Sequence, residues 1–217
     1  MNKIRILLAE DHVTVREGLK MLIGREPDME IVGEAADGRE AIESASELRP
    51  EIVVMDISMP GLNGLKGTRK LKELYPEIHV IALTRHKESG YVQELLLAGA
   101  SGYVLKQSSS DELIRAIRAV HSGKSYLDPA VTSQALNKSS PGDLKVAISS
   151  SMQLSNRESE VLKLIASGYS NKEIANQLSL SVKTVEAHKA NAMRKLGLRG
   201  RIDIVKYAVL QGWMDNA

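Results

Sequence analysis

Ile52-Val53-Val54-Met55-Asp56-Ile57-Ser58-Met59-Pro60-Gly61 decides how the front half of this chain is read. A short, unbroken apolar run, mostly β-branched, suits a strand covered on both faces rather than a one-sided helix. The run ends in a carboxylate, Asp56, and Pro60-Gly61 marks the loop beyond it. Working outward, Ile4–Ala9 and Met29–Ala35 lie upstream, and Ile78–Leu83 and Gly102–Leu105 downstream, as further strand-like runs. Helical spacing fills the intervals over Val13–Arg25, Arg39–Leu48, Leu65–Leu74, Glu88–Ala98 and Ser110–His121. Five short strands, each followed by a helix, predict a parallel sheet with helices on both faces.

In such a sheet the C-terminal strand ends are neighbours and form the crevice where ligands bind. Glu10 and Asp11 follow the first strand, Asp56 ends the third, Thr84 follows the fourth and Lys106 the fifth. Three gathered carboxylates repel one another, which calls for a divalent cation or raised pKa values. Mg2+ is the natural partner, because it binds through one or two carboxylates and keeps water sites open for phosphate. A carboxylate nucleophile, a cation, a hydroxyl and an ammonium together make a phosphoryl-accepting site, with Asp56 forming the aspartyl-phosphate.

With 217 residues, 43% hydrophobic and 26% charged, the chain suits two compact globular domains. No apolar run is long enough to span a membrane. The N-terminus enters a strand-like segment with no small-residue cleavage site, so no secretory signal is expected. Cysteine is absent, which excludes disulfides and thiolate metal sites and suits the cytoplasm. The charge is uneven. Residues 1–128 carry 17 Lys and Arg against 20 Asp and Glu, whereas residues 150–217 carry 10 against 6. A basic rear suits a nucleic-acid partner, although a solvated surface can carry the same charge.

Ser139-Ser140-Pro141-Gly142 and Ser149-Ser150-Ser151 read as linker chemistry, with Val131–Leu136 as a potential short helix. The expected organisation is a first domain over 3–122, a linker over 123–149 and a helical domain over 150–215. In the helical part, Ser155-Asn156-Arg157-Glu158 and Ser170-Asn171-Lys172-Glu173 fit capping boxes, and Gly168 and Gly197 fit helix stops. Only Ser179-Leu180-Ser181 separate Leu178 from the helical run Val182–Leu196, as in a helix-turn-helix. Arg201–Leu210 supplies a fourth helix. Along Val182–Leu196 the residues Val185, His188, Ala192 and Leu196 form the packing stripe, and Lys189 is expected to snorkel. Lys183, Ala187, Ala190 and Arg194 lie opposite, flanked by Thr184, Glu186 and Asn191.

Ala9-Glu10-Asp11-His12, Val54-Met55-Asp56-Ile57-Ser58-Met59-Pro60-Gly61, Ala82-Leu83-Thr84 and Gly102-Tyr103-Val104-Leu105-Lys106 closely resemble receiver domains of response regulators. Leu154–Leu162, Gly168–Ala175 and Lys183–His188 resemble the LuxR-type DNA-binding domain, and the whole chain resembles the NarL/FixJ family. The resemblance implies a flavodoxin-like, doubly wound α/β receiver followed by an all-α four-helix helix-turn-helix domain. It makes Asp56 the phosphorylation site, filled from a sensor histidine kinase, and gives Mg2+ the ligands Asp11, Asp56 and the Ser58 carbonyl, with Glu10 acting through a water. Thr84 and Tyr103 become the switch pair, and Lys106 the partner of the phosphate. The implied protein is not a metabolic enzyme. It slowly hydrolyses its own aspartyl-phosphate, and phosphorylation promotes dimerisation, through the last helix around Ile202–Leu210, and operator binding. In double-stranded DNA the expected operator is an inverted repeat, with Lys183, Thr184 and His188 on phosphates and Glu186, Ala187, Ala190 and Asn191 facing bases. RNA polymerase is a further candidate partner. Three positions depart from the common pattern: Glu10 where Asp is frequent, Arg85 where a small residue is frequent, and Ala192 where Ile is usual.

Other chemistries fit less well. Gly61, Gly64 and Gly67 are not spaced as a dinucleotide turn, and none of the five histidines forms H-E-x-x-H. A G-x-S-x-G elbow is also missing. A phosphatase of the haloacid-dehalogenase type would need a second acid two residues after Asp56, where Ser58 stands. A DNA-binding regulator with a purely structural front domain remains the rival, opposed by the presence of all five strand-end groups.

Overall fold

The computed structural model describes residues 3–131 and 154–214. The chain divides into two compact units, one built on the sheet and one on the four C-terminal helices.

The sheet unit runs β1 (Ile4–Ala9), α1 (Val13–Ile23), β2 (Met29–Ala35), α2 (Gly38–Leu48), β3 (Ile52–Asp56), α3 (Gly64–Leu74), β4 (His79–Thr84), α4 (Ser89–Leu97), β5 (Gly102–Leu105), α5 (Ser110–His121) and β6 (Tyr126–Leu127). Strand order is β2-β1-β3-β4-β5-β6. All pairings are parallel. The five expected strands occupy the doubly wound order, and β6 adds a sixth beyond β5. Residues 123–131, read from sequence as the start of the linker, therefore return to the sheet; the linker from 132 to 149 and most of Val131–Leu136 lie outside the described residues. β6 has only two paired residues, too few to show any periodicity.

Alternation along the strands assigns the two faces. Ile4, Ile6, Leu8, Ile52, Val54, Ile81, Leu83 and Val104 form one core with Ile23 of α1 and Leu113, Ile117 and Val120 of α5. The intervening residues Leu7, Val53, Met55, Val80, Ala82 and Tyr103 are equally buried on the other side. Burial on both faces explains why β3 reads as an unbroken apolar run rather than as an alternation.

The helical unit comprises α6 (Asn156–Ala166), α7 (Asn171–Leu178), α8 (Val182–Leu196) and α9 (Arg201–Leu210). Both expected capping boxes form: Ser155 and Glu158 start α6, and Ser170 and Glu173 start α7. Gly168 (φ +101°) and Gly197 (φ +67°) end their helices in the left-handed region, where a missing Cβ removes the steric cost. The α7–α8 turn does the same with Ser179 (φ +55°), and Ser181 then caps α8 through the Thr184 N–H. Val161, Leu162, Ile165, Ile174, Val185, Ala192 and Ile204 form the core of this unit. Here the small Ala192 is fully buried.

Candidate functional site

Parallel register brings the strand ends to one edge. Ala9 pairs with Met55, Asp56 with Leu83 and Thr84 with Leu105, so the residues at or just past these positions share the crevice. Glu10, Asp56 and Thr84 are each 1% exposed. Lys106 Nζ lies 2.6 Å from Glu10 Oε2 and 2.9 Å from Asp56 Oδ2, so one ammonium bridges carboxylates delivered by two strands. Asp11 is half-buried beside them. His12 holds the N-cap position of α1; its backbone N–H donates to Glu10 Oε1 and its Nδ1 stands 2.9 Å from Asp11 Oδ1. Ligand atoms of Glu10, Asp11, His12 and Asp56 lie within 4.8 Å of one another. Carboxylate oxygens dominate that set, which fits a hard divalent cation rather than a soft one.

The β3–α3 loop closes over Asp56. Ser58 is exposed and its N–H donates to Asp56 Oδ1 at 3.2 Å, while the Gly64 N–H donates to the Ile57 carbonyl. A Cβ at Gly64 would fall on the Asp56 carbonyl oxygen, so only glycine lets α3 start this close to the strand end. Gly61 (φ +66°) makes the loop's bend. Of the three glycines Gly61, Gly64 and Gly67, the first lies in this loop and the other two in the first turn of α3.

Thr84 and Tyr103 meet through a residue that sequence reasoning did not single out. The His86 N–H donates to Thr84 Oγ1 at 3.1 Å, and the buried Tyr103 hydroxyl donates to the His86 carbonyl. The His86 backbone thus links the Thr84 hydroxyl to the Tyr103 hydroxyl. Arg85 is exposed. Nothing in local periodicity distinguishes His86, because its role is carried by the backbone.

On α8 the expected division of faces holds. Val185, Ala192 and Leu196 are buried and His188 is half-buried, whereas Lys183, Glu186, Ala187, Ala190 and Arg194 are exposed. Thr184 shares a 2.7 Å hydrogen bond with Ser181, so its hydroxyl also serves the helix start. Glu186 accepts from Asn171 at 3.4 Å, and Asn191 accepts from Arg194 at 2.8 Å. Lys189 is half-buried, as snorkelling requires. Sequence reasoning missed the pair between Lys195 of α8 and the capping-box Glu158 of α6, 2.6 Å apart across 37 residues.

Comparison with known proteins follows the same two-part division. Residues 6–118 match the response regulator receiver domain, and residues 152–208 match bacterial regulatory proteins of the luxR family. The oxygen regulatory protein NreC of Staphylococcus epidermidis is 42% identical over 211 residues, covering 95% of this chain and 97% of that protein. NreC of Staphylococcus carnosus is 40% identical over 216 residues, covering 98% of this chain and all of that protein. Among solved structures, two RcsB dimers bound to two parallel DNAs superpose with a TM-score of 0.81 at 30% identity, covering 96% of this chain and 99% of that one. RcsB of Salmonella enterica serovar Typhimurium, bound to a promoter in the presence of the phosphomimetic BeF3-, gives 0.82 at 28% identity, covering 97% of this chain and all of that one.

Proposed function

The chain belongs to the LuxR-type response regulators of two-component systems, and from that premise we propose that Asp56 is its phosphoacceptor, Mg2+ its cofactor and a sensor histidine kinase its phosphoryl donor. The protein is a DNA-binding transcription regulator rather than a metabolic enzyme. One observation carries the phosphoacceptor reading: a single ammonium, Lys106, bridges two carboxylates that are almost wholly out of water.

Asp56 attacks the phosphorus of the donor; a carboxylate O–P bond forms as the donor's bond to phosphorus breaks. Lys106 meets the negative charge gathering on the transferring oxygens, and the Thr84 hydroxyl donates a hydrogen bond to an oxygen of the product phosphoryl group. Asp11, Asp56 and the Ser58 carbonyl would hold Mg2+ directly and Glu10 through water, and the ion would neutralise further charge on the phosphoryl oxygens. Thr84, tied to Tyr103 through His86, then shifts the receiver between its two states. Slow hydrolysis of the aspartyl-phosphate resets it.

The output follows from α8. Residues 171–178 cross the DNA backbone while 182–196 enters the major groove, with Lys183, Thr184 and His188 on phosphates and Glu186, Ala187, Ala190 and Asn191 towards bases. Phosphorylation promotes a homodimer, through α9, on an inverted-repeat operator, with RNA polymerase as a further contact and the cytoplasm as the location; the DNA-bound dimers of RcsB support the dimer and the DNA. The proposed domain limits are 3–122 for the receiver, extended by 123–131 through β6, a linker up to 149, and 150–215 for the DNA-binding domain.

Phosphate uptake from a small acyl phosphate tests the core of this reading. It is expected with Mg2+ and lost in Asp56→Asn. Uptake that persists in that variant, or that needs no divalent cation, overturns it.

A further inference from the structure

Asp128 is a buried carboxylate that the phosphoryl chemistry does not use. It lies just past β6 and is 1% exposed. Its backbone N–H donates to the Tyr103 carbonyl at 2.9 Å, which fixes it against β5. One oxygen, Oδ2, accepts from the Leu105 N–H at 3.0 Å and from the Ser108 hydroxyl at 2.6 Å. The other, Oδ1, accepts from the Ala130 N–H at 2.9 Å, two residues further along the chain.

A carboxylate this deeply buried is retained only where its oxygens are hydrogen-bonded. Here the donors come from two segments, and one of them is the loop that carries Lys106. That loop is held from two sides. The Lys106 N–H donates to the Thr84 carbonyl at 2.7 Å, and the preceding Leu105 N–H donates to Asp128. Lys106 Nζ reaches Glu10 and Asp56 only from a backbone held there. A serine at 128 could not hold three donors at once, because its hydroxyl is shorter and has fewer lone pairs, and an alanine offers no acceptor.

We propose that Asp128 is a positioning residue for the phosphoryl site: it clamps the β5–α5 loop behind Lys106 and, through its second oxygen, ties that loop to the segment just past β6. The proposal rests on Asp56 being the phosphoacceptor. Phosphorylation pulls Lys106 towards the phosphoryl oxygens, the loop follows, and the strain reaches Ala130 through a single rigid group.

The experiment uses the full chain with a small acyl phosphate and Mg2+. Asp128→Asn should lower the maximal rate of phosphate uptake about tenfold with little change in the phosphodonor concentration at half-maximal rate. Ser108→Ala, which removes one donor and leaves the buried carboxylate in place, should lower it two- to threefold, and it decides the matter if Asp128→Asn does not fold. In the wild-type protein, amide hydrogen exchange at Ala130 should change at least threefold on phosphorylation. A wild-type rate in whichever variant decides, or an Ala130 amide indifferent to phosphorylation, overturns the proposal. Wild-type protein that takes up no phosphate overturns the phosphoacceptor reading itself, and this proposal with it.

Discussion

Each unit of the molecule contains a lysine 2.6 Å from a buried glutamate, Lys106 on Glu10 in the sheet unit and Lys195 on Glu158 in the helical unit. As contacts they are nearly alike; their surroundings are opposite. Around Glu158 the charge is balanced: its carboxylate takes the Lys195 ammonium and the Ser155 N–H and completes a helix cap. Around Glu10 lie two further carboxylates, Asp11 and Asp56, and the same lysine serves two of the three. The first arrangement is satisfied and holds two helices together. The second sets one ammonium against three carboxylates, a surplus of negative charge that suits a divalent cation. Contact distance does not tell a structural pair from a reactive one; the local balance of charge does.

Substituting the two lysines tests that contrast most sharply. Lys106→Met should reduce phosphate uptake on the order of 100-fold, since it removes the cation that meets the transferring charge. Lys195→Met should leave uptake unchanged but destabilise the helical unit by about 3 kcal/mol, the cost of stranding a buried carboxylate. The chain's single tryptophan, Trp213, stacks edge-on against Tyr207 at 5.5 Å, so denaturant unfolding followed by its fluorescence reads the helical unit. If Lys195→Met impairs uptake as strongly as Lys106→Met, the contrast collapses.

Acid provides a milder probe of the same pair. Burial alone would raise the Glu158 carboxyl, but the Lys195 ammonium and the Ser155 bonds outweigh it and hold the group below its ordinary value of 4.5. A depressed carboxyl stabilises the fold above the unfolded value and loses that contribution as pH falls through the folded one. The Trp213-detected midpoint should therefore be constant from neutral pH down to about 5 and fall below about 4.5. In Glu158→Gln the fall should be shallower; an equal slope in both proteins would remove Glu158 from the account.

The smallest effect belongs to α8, the helix proposed to face DNA. Replacing Lys183 with Ala should lower affinity for all sequences alike and flatten the salt dependence by about one unit of slope, the signature of one lost phosphate contact. Titrations of operator and unrelated DNA at several salt concentrations measure it. A change in sequence preference instead would move Lys183 from the phosphates to the bases.

Legibility in the sequence divides along the same line. Local features were readable: β2 runs Met29–Ala35 and α8 Val182–Leu196 as the periodicity requires, and both capping boxes form at their serines. The five strand-end groups were readable as well, because parallel topology converts a position just after a strand into a place in the crevice. The Lys195–Glu158 pair, the His86 bridge and the Asp128 clamp were not. Each joins residues distant in sequence or acts through backbone atoms that every residue possesses, so no pattern of side-chain types announces it. β6 escaped for a different reason: Tyr126 and Leu127 are only two residues between polar turns, and their strand character comes from the edge of β5 that receives them.

The separation of Glu10 from Lys106 by 96 residues also orders events in time. A chain made from its N-terminus holds Glu10, Asp11 and Asp56 well before Lys106 exists, and β5 must then join the sheet before its lysine can reach them. Long-range closures of this kind come late in folding, after local helices such as α1 and α2 are able to form. The crevice is therefore among the last parts of its own unit to be completed. Until β5 docks, its carboxylates lack the ammonium that bridges them.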